Sequence, residues 1–393
     1  MLRISHRFYA RSTRLLVKRH FSANARLLAH NGATIFTLNQ HLVEAAEFHG
    51  ITSSSPEKAV LFQSPHLADS ESNATLPNSL VALRNWFSLH SESAMVEAFS
   101  SYFKEHLDLF VPYELVLGSG KEALLRAKHL VEFLDALRES SEHGHFYPLL
   151  AKLVNLEQLR NGVVAAEFIR FDAPLALMDA ALRYNMPPRP PGQRVSQLYI
   201  AQLPLSDLPQ PLQHDIPTPA CLTAPASPDA SYAADVYNSS LWLGLEPTFT
   251  PWHRDPNANL FRQLCGVKTV RMMPPQPGRR VFEQVMRGLG QSAANTAIRG
   301  EEMMQGAERQ AWLDAVWGPS APEGMLEVMV RPRDMLFLPK GWWHSVRSAQ
   351  GDTGDLNVSV NWWFRWRNSH PRRFQTKVES APRPDPDNKK GQC

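Results

Sequence analysis

Two hydrophobic periodicities divide the chain. In the first half, Ala127, Leu130, Val131, Leu134 and Leu137 recur at i, i+3, i+4 and i+7, the spacing of one buried helix face. Gly118-Ser119-Gly120 interrupts the chain before that run, and Gly144 and Pro148 interrupt it afterwards. Leu149, Leu150, Leu153 and Leu156 predict a further helix. Beyond the proline-rich boundary Pro187–Gly192 the period falls to two. Strands are predicted over 195–203, 240–245, 248–250, 252–255, 267–272, 335–338 and 356–366, with helical spacing returning over 281–317. The last strand is the most informative. Leu356, Val358, Val360, Trp362 and Phe364 share one face, and Asn357, Ser359, Asn361, Trp363 and Arg365 share the other. A polar face is costly inside a protein unless it is hydrogen-bonded, so a strand that turns asparagines inward points to a bound ligand. Many short strands with long connections predict an α+β chain whose core is a double-sheet jelly roll, or double-stranded β-helix.

These patterns divide the chain into a basic leader over 1–27, a linker or extended arm over 28–79, a helical accessory region over 80–190, the jelly-roll domain over 191–367 and a basic tail over 368–393. In the leader, Arg3, Arg7, Arg11, Arg14 and Lys18 line one helical face with no acid among them. That is the composition of a mitochondrial transit peptide, and Arg19-His20-Phe21-Ser22 resembles the site at which such peptides are removed. A disordered basic arm is the plainer alternative.

Charge changes this picture in one respect. The net charge of +3 is carried by the two ends; the body between them holds 26 basic and 35 acidic residues. A surface able to track a phosphate backbone is therefore not evident in the globular part. Three cysteines without a CxxC pair exclude a disulfide framework and a cysteine-rich zinc module.

The candidate chemistry sits in Thr250-Pro251-Trp252-His253-Arg254-Asp255 and, downstream, Pro339-Lys340-Gly341-Trp342-Trp343-His344. A His and an Asp two apart on a strand point to the same side. A third imidazole from a neighbouring strand would complete a 2-His-1-carboxylate set, which leaves three positions on a non-haem Fe(II) open. Lys268 alternates with Val270 and Met272 on an otherwise apolar strand face, and a buried lysine needs an anion. His106, His129, His143 and His145 read as surface or core histidines. Met303 and Met304 read as helix core, and the tryptophans at 242, 252, 342, 343, 362, 363 and 366 as barrel core.

Together these residues resemble the JmjC-domain, cupin-like family of 2-oxoglutarate-dependent oxygenases, in particular its branch of asparagine hydroxylases acting on hypoxia-inducible factor. The resemblance runs from Leu198-Tyr199-Ile200-Ala201-Gln202 through Leu243-Gly244-Leu245-Glu246, Thr250-Pro251, His253-Arg254-Asp255, Asn259, Phe261, Gln263, Gly266, Lys268 and Pro274-Pro275. It resumes at Leu336-Phe337-Leu338-Pro339, Trp342-Trp343-His344 and Val360-Asn361-Trp362. It implies Fe(II) bound by His253, Asp255 and His344. It also implies 2-oxoglutarate held at its distal carboxylate by Lys268 with Thr250 and Tyr199, and hydrogen bonds from Asn259 and Asn361 near the metal. The reaction implied consumes O2, releases succinate and CO2, and hydroxylates a protein or peptide. Two departures stand out: Arg333-Asp334 replaces a usual Gly-Asp, and the bulky Trp252 precedes His253, where it is expected to narrow the pocket. Alternatives are a lysine demethylase, a tRNA-modifying hydroxylase and a non-catalytic cupin that only binds. No run is long and apolar enough to cross a bilayer.

Overall fold

The structure is a computed structural model that describes residues 25–30, 33–38, 45–54, 58–64, 80–89, 96–223, 234–292 and 303–366. The arginine stripe with its processing motif and the tail over 368–393 lie outside the described residues.

Eight consecutive strands wind into the expected jelly roll. They are β9 (Ala234–Leu245), β10 (Phe249–Arg254), β11 (Ala258–Cys265), β12 (Lys268–Met273), β13 (Leu326–Val330), β14 (Met335–Leu338), β15 (Trp343–Ser348) and β16 (Leu356–Trp366), after β1 to β8 described below. The major sheet contains the run β14-β11-β16-β9, and the minor sheet has the order β10-β15-β12-β13. The chain thus passes back and forth between two facing sheets. Between them lies a core of Phe261, Leu336 and Leu338 from one sheet and Val270, Met272, Val328 and Val346 from the other. Each such side chain, once buried, contributes about 1.5–3 kcal/mol.

Strand β16 behaves as its alternation predicts. Leu356, Val358, Val360, Trp362 and Phe364 join the large core outside the barrel, while Asn357, Ser359 and Asn361 turn into it. Three of these eight strands escape the sequence reading: β11, β13 and β15. Strand β11 is buried on both faces and carries Asn259, Arg262 and Gln263, so it shows no apolar-polar alternation. Strand β15 interleaves Trp343 and Val346 with His344, Ser345 and Arg347. The two short strands expected at 248–250 and 252–255 are one, β10, with a bulge between Thr250 and His253.

The regions before the barrel differ from expectation. The stretch read as an arm contributes β1 (Ala25–His30), β2 (Ala33–Leu38) and β3 (Val60–Phe62), with helix α1 (Ala45–Ser54) between the last two. Strand β3 pairs antiparallel with β14, so this stretch extends the major sheet. Its few short, irregularly spaced apolar runs hide the strands. The region read as helical is mixed. It holds β4 (Phe87–Leu89), β5 (Val96–Phe99), β6 (Phe110–Val116) and β7 (Phe168–Pro174) beside helices α2 (Gly120–Glu139), α3 (Tyr147–Leu153) and α4 (Ala176–Asn185). Strand β6 pairs with β8 (Leu198–Pro204), which pairs with β9, so the major sheet grows to ten strands. Edge strand β7 carries Arg170 and Asp172, and Arg170 pairs across the ladder with Glu114 at 2.7 Å. Charges on an edge discourage further pairing but disguise the strand. Helix α2 buries Ala127, Leu130, Leu134 and Leu137, as its spacing predicts.

The segment between β12 and β13 folds as helices α5 (Pro275–Gly288) and α6 (Gly306–Trp312) and covers the outer face of the minor sheet. At the Arg333-Asp334 departure, Arg333 adopts φ = 81°, the left-handed conformation that glycine takes without strain. Asp334 accepts from the backbone N–H of Ser64 and of Arg331, both at 2.9 Å, so the turn keeps its shape at a cost of about 1–2 kcal/mol for the side chain.

Candidate metal centre and its cavity

Strands β10 and β15 lie side by side in register, with His253 directly opposite His344. Asp255 follows one residue beyond the end of β10. Their ring centroids are 4.1 Å apart, tilted by 53°. His253 Nε2 lies 3.9 Å from Asp255 Oδ1, and His344 Nε2 lies 3.7 Å from Asp255 Oδ2. Among the described residues this is the one group of three potential ligand side chains that converges. Each Nδ1 faces a backbone carbonyl: His253 that of Pro251 at 2.8 Å, His344 that of Trp342 at 3.3 Å. An Nδ1–H donated to a carbonyl leaves the Nε2 lone pair facing the centre, the tautomer a metal ligand requires. Burial, reinforced by the neighbouring His344, holds the His253 imidazolium down at a pKa of about 4, so the ring is neutral at physiological pH. Two imidazoles and one carboxylate, buried together, fit a divalent ion of the non-haem iron type.

A small cavity of about 30 Å³ lies beside this triad. Tyr199, Thr250, Asn259, Lys268 and Asn361, each singled out in the sequence, line it together with the triad. Lys268 is 2% exposed and bonds through Nζ to Ser359 Oγ at 2.7 Å. It forms no ion pair with any described residue. Burial pulls its ammonium pKa down to about 7, opposed in part by the Glu246 carboxylate. The rings of Phe261 and Tyr199 flank the amine at 5.6 and 5.8 Å. A lysine so placed is an anion receptor without a built-in anion. Tyr199 is hydrogen-bonded to Thr250, and burial, followed by the nearby Glu114, pushes its phenol well above the usual range. The hydroxyls of Tyr199, Thr250 and Ser359 are thus neutral donors around one cation.

Deeper still, Glu246 accepts from Asn357 Nδ2 at 2.7 Å and Thr353 Oγ1 at 3.0 Å. Its carboxyl is raised to about 7, chiefly by burial. The inward face of β16 therefore descends from the metal ligands (Asn361) through the lysine (Ser359) to a buried acid (Asn357).

Two expectations change. Trp252 does not narrow the pocket: it turns to the outer face of the minor sheet, stacks on Trp343 at 6.1 Å and donates to the Gly278 carbonyl at 3.2 Å. Neighbours along a strand face opposite sides, so an inward His253 forces Trp252 outward. Trp242 and Trp363 are not barrel core; they line the cavity. Asn259 donates to Asp255 and Asn361 donates to Asn259, so both lie beside the triad as expected of groups near a metal. Three site residues were missed: Ser359, Trp242 and Trp363. Ser359 was visible as part of the polar face of β16, but Trp242 carried no signal beyond its size. His129 and His143 are buried, their pKa values lowered by that burial, and neither lines the cavity.

Residues 154–370 match the family of cupin-like domains. The chain is 27% identical over 172 residues to the lysine-specific demethylase JMJ30 of Arabidopsis thaliana, covering 42% of this chain and 33% of that protein. It is 28% identical over 182 residues to the Jumonji C domain-containing protein 5 of Drosophila melanogaster, covering 46% and 40%. Similarity to the human HSPB1-associated protein 1 is 26% over 147 residues, covering 36% and 26%. The chain thus spans well under half the length of these relatives.

Proposed function

From the premise that the chain belongs to the cupin-like, JmjC family of 2-oxoglutarate oxygenases, we propose that it is an Fe(II)- and 2-oxoglutarate-dependent protein hydroxylase. One observation carries this reading: the two imidazoles and the carboxylate converge beside a buried lysine that forms no ion pair with any described residue.

In this reading His253, Asp255 and His344 hold Fe(II). Lys268 takes the distal carboxylate of 2-oxoglutarate, with Ser359, Thr250 and Tyr199 as hydrogen-bond donors; a charge-assisted bond in a low-dielectric pocket is stronger than its counterpart in water. Phe261, Val270, Leu336, Leu338 and Val346 surround the methylenes and keep water away. When bound, the iron and keto acid supply the activation of O2 and the oxidation of a C–H bond, with succinate and CO2 as co-products. The protein's own task is to hold the ligand carboxylate still, keep both Nδ1 protons on their carbonyls and admit substrate past Trp242 and Trp363.

The test is succinate formation by the purified chain that depends on Fe(II) and 2-oxoglutarate in the presence of peptide extract. Loss of that activity in His253→Ala is expected, and its absence in the parent chain across extracts would overturn the reading. A second outcome, lysine demethylation, is favoured by relatives named as lysine-specific demethylases. Formaldehyde release in step with succinate identifies it, whereas hydroxylation leaves the added oxygen on the product. A tRNA substrate fits poorly with the acidic body. For location, the arginine-rich start supports import into the mitochondrial matrix; native, untagged protein found in nuclei would overturn that.

A further inference from the structure

The polar groups around Asp255 form one directed chain. The Trp242 indole Nε1–H donates to Asn361 Oδ1 at 2.7 Å, Asn361 Nδ2 donates to Asn259 Oδ1 at 3.1 Å, and Asn259 Nδ2 donates to Asp255 Oδ2 at 2.9 Å. The chain runs across β9, β16 and β11, three neighbours in the major sheet, and then crosses to the end of β10. Its direction is set from both ends. An indole N–H only donates, and an ionised carboxylate only accepts. Each amide between them, which alone could be turned over, is therefore left with one orientation. Both asparagines are buried, and a reversed amide would set acceptor against acceptor and donor against donor, abandoning two bonds.

We propose that Trp242 is a positioning residue for the metal site: its indole N–H decides, through Asn361 and Asn259, which oxygen of Asp255 is left open. Asn259 occupies Oδ2, and Oδ1 accepts no hydrogen bond from any described residue. Asp255 is thereby presented to the metal through one oxygen rather than two. That is what a three-residue set needs if three metal positions are to stay open for other ligands. The inference rests on the metal-site reading above and adds the residue that governs how the carboxylate binds. It also commits Asn259 and Asn361 to the carboxylate, which leaves the keto acid to Lys268 and the hydroxyls.

The experiment is calorimetric titration of the metal-free, full-length protein with Mn(II), without 2-oxoglutarate, so that the readout is affinity and not turnover. Trp242→Phe keeps a ring against Tyr199 and deletes the N–H. It is expected to bind Mn(II) about 10–100-fold more weakly, the usual effect of losing a partner of a ligand, with the melting temperature of the metal-free protein unchanged. Asn361→Leu should show a similar loss, and the double variant no more than Asn361→Leu alone, because the chain is cut only once. Affinity of Trp242→Phe within twofold of the parent, or losses that add in the double variant, would overturn the relay. Should Trp242→Phe not fold, Asn361→Leu decides alone, and unchanged Mn(II) affinity there overturns it. A parent protein that takes up no Mn(II) would defeat the metal-site reading and the relay together, whereas a parent that binds beside a Trp242→Phe that binds equally defeats the relay only.

Discussion

Strands β10 and β15 carry the same pair of letters, Trp252-His253 and Trp343-His344, and the two sides of the minor sheet that result have opposite physics. Outward, Trp252 and Trp343 stack and are covered by Phe282 of α5 and Trp312 of α6, with every indole N–H of that quartet bonded. Inward, one residue away in each strand, two imidazoles face a carboxylate across open space, and a lysine lies buried with a hydroxyl as its partner. The outer side is satisfied by packing and holds the strands in place. The inner side gathers a donor set and an ammonium that a metal ion and a dianion would engage. Rigidity on one face lets the other keep costly groups in fixed positions.

Exchanging adjacent residues gives the largest contrast. Trp343→Ala should destabilise the chain by about 3–5 kcal/mol through the cavity it leaves, lowering the melting temperature on the order of 10 °C. His344→Ala, its neighbour, should leave the melting temperature of the metal-free protein nearly in place while metal uptake falls to background. Scanning calorimetry and Mn(II) titration on the two variants would break the comparison if both properties fell together in each. Next in size is Lys268→Met. Removing a buried charge that forms no ion pair with any described residue is expected to leave stability level or improved. Affinity for 2-oxoglutarate should nevertheless drop about 10–100-fold, the worth of one charge-assisted bond. A melting temperature that collapses in Lys268→Met would show that the amine is structural.

The smallest effect sharpens the same point through pH. The free Lys268 ammonium titrates at about 7, and only the protonated amine pairs with a dicarboxylate. Binding above pH 7 must therefore take up a proton. Apparent affinity for 2-oxoglutarate should be flat below 7 as far as this group is concerned, and should weaken by up to about tenfold per unit as pH rises beyond it. An affinity independent of pH between 7 and 9 would mean that the amine keeps its proton throughout. Glu246, whose carboxylate opposes the lowering, makes Glu246→Gln the variant expected to move the break to lower pH.

The contrast also explains how much of the molecule was legible in the sequence. Period-two alternation told which residues of β16 face inward, because one face is uniformly apolar and the other is polar apart from Trp363. The same rule, applied to Trp252 beside an inward His253, already places the indole outside; treating size as a pocket property obscured that. Strands β11 and β15 stayed hidden because burial on both faces abolishes alternation, and Asn259 and His344 among their polar residues serve the cavity. Trp242 could not be assigned from its letter. Its part depends on Asn361 lying across one ladder and Asn259 across the next, and pairing between distant strands leaves no local trace.

The contact between β3 and β14 carries a practical consequence for anyone who wishes to cut this protein down. A fragment beginning near residue 191 would strip three strands from one border of the large sheet and two from the other, baring unpaired N–H and C=O rows on both flanks. Such a fragment should clump or pair with its copies instead of working alone. The front of the polypeptide is built into the barrel's wall.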